Sequence, residues 1–450
     1  GGDLAWSFAA DTGEVRRRRP PRRASVCFSE VTASGLDVVE GGRCRGGSPV
    51  YRLDETRDAS PELTANGRPI GEELRHTLLV REAFARYAFG RAGFATAWAG
   101  RRRLSVADGF VHDDYVTGLG AALDLGAIGP RWSLSAAVFQ PTRDLPSRLG
   151  AVTPMLAVRA DFLPSLFERA GLFAALLVDR SGGGAEVLRG ALAERLVTAL
   201  GEVSPGTADY RQRSRDLART LSERLDGDLT LAWLGTSGSL LPARGQRLAW
   251  TAAFSTGEIG GVTAPDVEGE PLVLAREIAL RGRLASARWE TDLGERASAG
   301  ASLLYLSGGA LPGYGDGAPV QGSYRGFLGV SPFVTETNLF FGGGLSESFA
   351  SRRNTAAGVS GRGVVAPGVN LLVEPAADVT VETTATFLAS AARGPFGGRR
   401  YGTELDLEVT WSPRRWLMLG AELDVLVPGD FFPGGRTMYK SILALDLLTP

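Results

Sequence analysis

A strict two-residue alternation near the C-terminal end constrains this chain more than any other feature. In Glu404-Leu405-Asp406-Leu407-Glu408-Val409-Thr410-Trp411 every even position is polar and every odd position apolar. Successive side chains of an extended strand point to opposite faces, so this segment offers one face to water and the other to oil. The same design precedes it, with Asp378, Thr380, Glu382, Thr384 and Thr386 set against Val379, Val381, Ala385 and Phe387. It recurs where Leu417, Leu419, Leu423 and Val425 oppose Glu422 and Asp424, and again where Leu443, Leu445 and Leu447 oppose Lys440, Ala444 and Asp446. Turn residues separate these segments: Gly394-Pro395 with Gly397-Gly398, Ser412-Pro413, and Pro428-Gly429 to Gly434-Gly435.

Segments of similar spacing run upstream, at 76–90, 92–104, 116–126, 131–140, 152–162, 169–179, 228–236, 246–256, 273–291, 298–307, 324–341 and 361–373. With the last four they number about 16, and single-chain bacterial barrels carry even strand numbers. The expected fold class is therefore all-β, a transmembrane antiparallel β-barrel of about 16 or 18 strands over residues 75–450. Residues 1–74 read as a tail or plug-like segment, with six Arg between Arg16 and Arg23 around Pro20-Pro21. That Arg run is read as a solvated linker before a lipid-binding patch. One segment breaks the pattern: Leu188, Leu192, Leu196 and Leu200, then Leu217, Leu221 and Leu225, fall four apart. This predicts a helical hairpin at 184–225 inserted in one loop. With about six strands before it, strand parity puts the hairpin on the periplasmic side, as a gate, a docking surface for a periplasmic partner or a packed, inert insertion.

A soluble sandwich also alternates, but nearly 370 residues of strand and turn without a long helix exceed one sandwich. Their polar faces crowd carboxylates and Arg, as a water-filled lumen does. Trp98, Trp132, Trp250, Trp289, Trp411 and Trp416 suit interfacial girdles. The opening Gly1-Gly2-Asp3 reads as a processed chain whose signal peptide has been removed, and the expected location is the bacterial outer membrane. Cys27 and Cys44 are the two cysteines, as a disulfide or as two thiols.

Lumen candidates on the basic side are Arg81 or Arg86, Arg101, Arg103, Arg159, Arg281, Arg283 and Arg288. The closing strands offer Glu382, Glu404, Asp406, Glu408, Glu422 and Asp424. Guanidinium groups stay charged and pair with carboxylates in bidentate fashion, so such a wall favours anions. Facing carboxylates either keep the solute from sticking or neutralise the Arg in salt bridges. With 49 basic and 50 acidic residues, the net charge of -1 gives no reason to expect nucleic acid. An enzyme is not expected: His76 and His112 are the two histidines available to a catalytic triad, and His112-Asp113-Asp114 reads as part of a turn. No metal site and no cofactor is expected; Asp108, Asp113 and Asp114 read as a hydrated turn before a Ca²⁺ site, and Gly342-Gly343-Gly344 lacks the Lys-Ser/Thr of a phosphate loop.

Val80-Arg81-Glu82-Ala83-Phe84-Ala85-Arg86-Tyr87, then Trp98-Ala99-Gly100-Arg101-Arg102-Arg103-Leu104 and Asp108-Gly109-Phe110 to Asp113-Asp114-Tyr115, resemble the opening strand pair of the alginate export porin family. Thr337-Asn338-Leu339-Phe340-Phe341-Gly342-Gly343-Gly344 is similar in style to a strand of that family. The chain departs from it at Arg102, where Gln is usual, and at Leu447-Leu448-Thr449-Pro450, which lacks a terminal aromatic. The resemblance implies an eighteen-stranded barrel with an Arg-lined lumen for passive export of an anionic polysaccharide. The alternatives are a general or small-solute porin and a non-conducting barrel scaffold in an envelope machine. The partners expected are outer-membrane lipid, the anionic polysaccharide or small solutes, and periplasmic export or envelope-complex proteins.

Overall fold

A computed structural model of the chain describes residues 3–14, 22–28, 36–40, 49–55, 64–65, 68–69, 76–90, 94–125, 131–141, 153–165, 167–180, 226–264, 272–309, 320–330, 337–340, 356–394, 397–414, 417–432 and 434–447. The strands are β1 (Asp3–Glu14), β2 (Arg22–Phe28), β3 (Leu36–Glu40), β4 (Pro49–Glu55), β5 (Thr64–Ala65), β6 (Arg68–Pro69), β7 (His76–Phe89), β8 (Ala95–Val106), β9 (His112–Asp124), β10 (Trp132–Pro141) and β11 (Met155–Phe162). They continue as β12 (Arg169–Asp179), β13 (Asp226–Leu240), β14 (Gln246–Ala264), β15 (Leu272–Asp292), β16 (Ala297–Leu306), β17 (Val320–Tyr324), β18 (Val364–Ala376), β19 (Val379–Ala389), β20 (Arg400–Arg414), β21 (Leu417–Pro428) and β22 (Met438–Leu447).

Among the described residues one sheet holds seventeen of these strands, and sixteen of them form an antiparallel wall in which neighbours in the wall are neighbours in sequence. The wall runs β1, β7 to β16, then β18 to β22; β17 pairs in parallel with the upper part of β15, at Ala275 to Leu280. β2, β3 and β4 form a small separate sheet, and β5 pairs with β6. The wall count matches the expected sixteen through two changes that offset each other. The segment 324–341 is not a wall strand, and Asp3–Glu14, read as part of a tail, pairs with β7 along its length.

Connections alternate between the two ends. Residues 90–94, 125–131, 163–168, 241–245, 293–296 and 377–378 make short turns at one end, while the longer connections, including 180–225 and 307–363, lie at the other. Seven wall strands precede 180–225, not six, because β1 is one of them. The ends of β12 and β13 that this connection joins therefore lie at the long-connection end and not at the short-turn end expected from six preceding strands. The helical hairpin itself lies outside the described residues, as do Trp416, Cys44 and the side chain of Cys27.

Register fixes which side chains share a face. Leu123 pairs with Leu134, Val138 with both Leu119 and Leu156, Leu156 with Leu176, and Leu234 with Phe254. All are well exposed although large and apolar, and so are Leu303, Val369, Leu405, Leu407, Leu423, Leu443 and Leu445. Apolar exposure on that scale, around a wall whose backbone groups are paired strand to strand, is a lipid-facing belt. Its rims are aromatic. Tyr87, Phe89, Trp132, Phe162, Trp289 and Trp411 lie at the short-turn ends of their strands, while Tyr305, Phe387 and Tyr439 lie toward the long-connection ends. Phe387 stands eight residues along β19 from Val379, the partner of Trp411; at roughly 3.3 Å per residue this is about 26 Å of strand, or ~20 Å along the membrane normal at a tilt of about 40°, on the scale of the ~25 Å apolar band of membrane barrels.

Candidate functional site

The inner face differs from the outer one in two ways. Across β9, β10 and β11 it is lined by small residues: Gly118, Gly120, Ala122, Ser133, Ser135, Ala137 and Ala157. They leave room, and a cavity of about 300 Å³ opens there, bounded by Arg86, Arg102, Arg159, Trp98 and Phe173, with no carboxylate among its lining residues. Arg86 pairs across the ladder with Trp98, and Arg102 follows Trp98 by four residues on the same face. The Arg102 guanidinium lies 5.2 Å from the Trp98 ring centre and 5.1 Å from that of Phe84. Stacked in this way, it keeps its charge while its orientation is fixed. Arg159 is fixed too: its Nε donates to Asp161 at 2.8 Å and its Nη2 to the Ser237 hydroxyl at 2.9 Å.

The second difference is that the chain crosses its own lumen. After β17, residues 325–330 leave the wall and pass over the inner face of β15. The Phe327 amide donates to the Ser307 carbonyl, the Leu328 carbonyl accepts the Trp233 indole N–H at 2.8 Å, and the Val330 amide donates to Val111 at 2.6 Å. The His112 Nδ1 stands 2.6 Å from the Val330 carbonyl, so this buried histidine anchors the crossing. The side chain of His76 lies outside the described residues. Residues 337–340 continue to the closing strands. There Glu404 accepts the Leu339 amide at 2.5 Å and the Phe340 amide at 2.9 Å, and Asn338 donates to Asp424 at 3.2 Å. Residues 325–330 thus touch β9 and β13, and residues 337–340 touch β20 and β21, which is possible because the sheet curls round them.

Gly282 permits the crossing. A Cβ on it would stand 2.7 Å from the Phe327 Cα and 2.9 Å from the Gly326 carbonyl oxygen, both backbone atoms of the crossing, and would also meet the Ser255 Oγ. Gly282→Val is therefore expected to push 325–330 off the wall while leaving the outward ladder of β14 and β15 intact. Faster cleavage of the loop by added protease, with the barrel itself resistant, would show it.

The closing strands bring all six expected carboxylates to the inner face: Glu382 opposite Glu408, Asp406 opposite Asp424, Glu408 opposite Glu422, with Glu404 on the same side of β20. Four of them, Glu404, Asp406, Glu422 and Asp424, are buried. Lys440 serves the group, with its Nζ on Glu422 and 3.1 Å from Asp424. These acids hold the crossing segment and one lysine, a role in the architecture of the constriction.

The expected basic residues divide. Arg86 and Arg159 line the cavity, and Arg288 is on the inner face opposite Ala249 and Ser302. Arg101 and Arg103 are on the outer face, since Arg101 pairs with Thr117 in the row of Leu119, and Arg103 makes a two-pronged contact with Asp113 at 2.9 Å. Arg281 and Arg283 also face outward, opposite Thr256 and Phe254. The side chain of Arg81 lies outside the described residues. Arg102, noted in the sequence as a departure from a family pattern, is the inward member of the 101–103 run. Sharing parity with Trp98 and Gly100 was the signal that would have found it. Asp108, Asp113 and Asp114 do not converge: Asp113 pairs with Arg103, Asp108 with Arg169, and Asp114 accepts the Tyr115 amide.

No family model matches the chain, so the likeness of residues 80–115 to alginate export porins has no counterpart there. No curated protein matches it either. Among solved structures it is similar to OccK9 (OpdG) of Pseudomonas aeruginosa, with a TM-score of 0.46 and 12% identity, covering 98% of this chain and 97% of that one. It is similar to OccAB1 of Acinetobacter baumannii, at a TM-score of 0.46 and 10% identity over 99% and 95% of the two chains. A BenF-like porin from Pseudomonas fluorescens Pf-5 gives a TM-score of 0.44 and 11% identity over 98% of this chain and 99% of that one. At that distance the functional reading rests on the chemistry of the lumen.

Proposed function

We propose that the chain is an outer-membrane pore that passes small anionic solutes. The observation that carries this reading is the convergence of Arg86, Arg102 and Arg159 on one intramural cavity that no carboxylate lines among the described residues. Fixed guanidinium groups in a confined, partly apolar channel draw anions and repel cations. The wall supports the location. A sixteen-stranded meander with an apolar outer belt and aromatic rims is how barrels cross the outer membrane, with short turns toward the periplasm and long connections outside.

Small solutes fit better than a polysaccharide. A glycan chain threading the barrel needs an open bore, and residues 325–330 cross it from the β15 wall to Val111. On β20 and β21, Glu404 is engaged by Leu339 and Phe340, Asp424 by Asn338, and Glu422 and Asp424 by Lys440, and none of these carboxylates lines the cavity of the arginines. Membrane lipid is the partner that the outer belt calls for.

The test is the reversal potential of the full-length protein in planar bilayers under a potassium chloride gradient. The expected sign is that of anion preference. A silent barrel, or a cation-preferring one, would sink the proposal.

A further inference from the structure

We infer that Asp108 is a tethered occupant of an anion site on the far wall, and that a permeating carboxylate solute must displace it. The inference rests on the anion-pore reading above and adds to it a residue that sets specificity and access.

Residues 107–111 join β8 to β9 as a tight turn, with the Phe110 amide donating to Ala107 and the Val111 amide to Val106. The turn does not rise away from the barrel. Ala107 and Val111 are fully buried, and Val106 and Ala107 line the cavity together with Phe173 of β12. Its tip has an unusual backbone: Ala107 has φ 56° and Asp108 φ 49°. The left-handed region is uncommon for residues with a Cβ, and alanine has no side-chain hydrogen bond to offset it.

That strained tip aims the Asp108 carboxylate across the lumen. Oδ1 lies 3.2 Å from Nη2 of Arg169 and 3.8 Å from Nη1 of Arg159, while Oδ2 accepts the Thr251 hydroxyl at 2.6 Å. These partners come from β12, β11 and β14, and none belongs to the hairpin that carries Asp108. Arg159 is held in place from behind by Asp161 and Ser237. Two guanidinium groups and a hydroxyl, positioned independently of their ligand, are what a carboxylate site consists of. Here the carboxylate is the protein's own, and at 37% exposure it is open to exchange. Arg159 lines the solute cavity as well, so the two sites are contiguous. An incoming carboxylate that takes over Arg159 and Arg169 replaces like charge with like charge and frees the hairpin from its left-handed turn. Cations gain nothing from that exchange.

The experiment uses the full-length protein in planar bilayers, with potassium chloride and with potassium acetate as the permeant probe. Asp108→Asn keeps the shape and an acceptor for Thr251 but removes the charge. It is expected to raise the anion-to-cation permeability ratio, and to lower the acetate concentration that half-saturates the current, on the order of fivefold each, the lower range of a site coupling. Ala107→Gly removes the backbone penalty and steadies the tip, so both quantities are expected to move the opposite way. If the wild type shows no anion preference, the pore reading falls, and this inference with it. If the wild type prefers anions while D108N and A107G both match it, the role of Asp108 is overturned and the pore reading stands. Heat-modifiable mobility on gels reports folding; should D108N not fold, the A107G result alone decides, a wild-type value overturning the inference.

Discussion

Replacing Arg86, Arg102 and Arg159 together with glutamine is expected to lower the anion-to-cation permeability ratio by at least tenfold. A unit charge about 8 Å from a permeating ion contributes roughly 2 kcal/mol at an effective dielectric of about 20, and physiological salt screens part of it. Arg159 is offset by Asp161 and Asp108, and the charges of Arg86 and Arg102 on one cavity still exceed the ~1.4 kcal/mol that a tenfold ratio needs after screening. The barrel has reason to survive the change, since each residue lies on the inner face and the outward ladders that meet lipid are untouched. Arg102→Lys separates charge from geometry. Lysine keeps the charge but cannot stack its head group flat between Trp98 and Phe84. Ion preference is expected to persist in that variant, while retention of a carboxylate solute, read as its block of chloride current, weakens severalfold. An unchanged ratio in the triple variant would mean that ions bypass the cavity.

How much of this was legible in the sequence depended on what each strand faces. β19 to β22 read clearly because they separate lipid from a polar interior along their length, and their ranges and inward carboxylates follow from parity alone. The upper parts of β8, β13 and β15 misled for a physical reason. There the lumen is filled by residues 325–330, so the inward positions are apolar: Leu229, Leu231, Trp233, Ile278 and Leu280 are all buried. Their outward positions near and beyond the edge of the lipid belt are charged as well, with Arg283 beside Phe254 and with Arg281 and Glu258 further along. The alternation persists with its meaning reversed. An assignment of polar positions to the lumen puts Arg281 and Arg283 on the wrong face, and likewise Arg101 and Arg103, which share a parity with Thr117 and Asp113 while Leu104 and Val106 point inward.

Two other errors were not matters of phase. Asp3–Glu14 is separated from its partner β7 by about sixty residues, and no local pattern announces so distant a pairing. Within the segment 324–341, Phe327, Leu328 and Val330 are buried against the apolar wall, which periodicity does not distinguish from belonging to one. The site followed suit. Arg159, and Arg86 as one of two alternatives, stood among the basic lumen candidates, whereas Arg102 sat within three consecutive arginines, where composition gives no phase. Asp108 was visible as an acidic turn, but its opposing arginines come from strands some fifty to sixty positions away.

The largest structural effect is expected at Glu404. Its side chain is fully buried on β20, and each oxygen accepts a backbone amide of the crossing segment. Hydrogen bonds to a charged acceptor contribute roughly 1.5 to 3 kcal/mol each. Removing both leaves two amides unpaired, an effect offset in part by no longer burying a carboxylate. Glu404→Leu is therefore expected to cost the docked turn about 2 to 4 kcal/mol, enough to release residues 337–340 for most of the time. Glu404→Gln retains one carbonyl acceptor and is expected to cost about half as much. Asn338 and Lys440 hold the same turn through Asp424 and the Asn338 carbonyl, so release pulls on a shared network and not on one contact. The outward Leu405 and Leu407 keep β20 in its lipid-facing register in either variant. The expected readout is graded: single-channel conductance rises severalfold in E404L and less in E404Q, with more open-channel noise and an unchanged heat-modifiable band. Conductance equal to wild type in a folded E404L barrel would mean that the turn does not narrow the path. Loss of the folded band in both variants would instead make Glu404 a support of the wall.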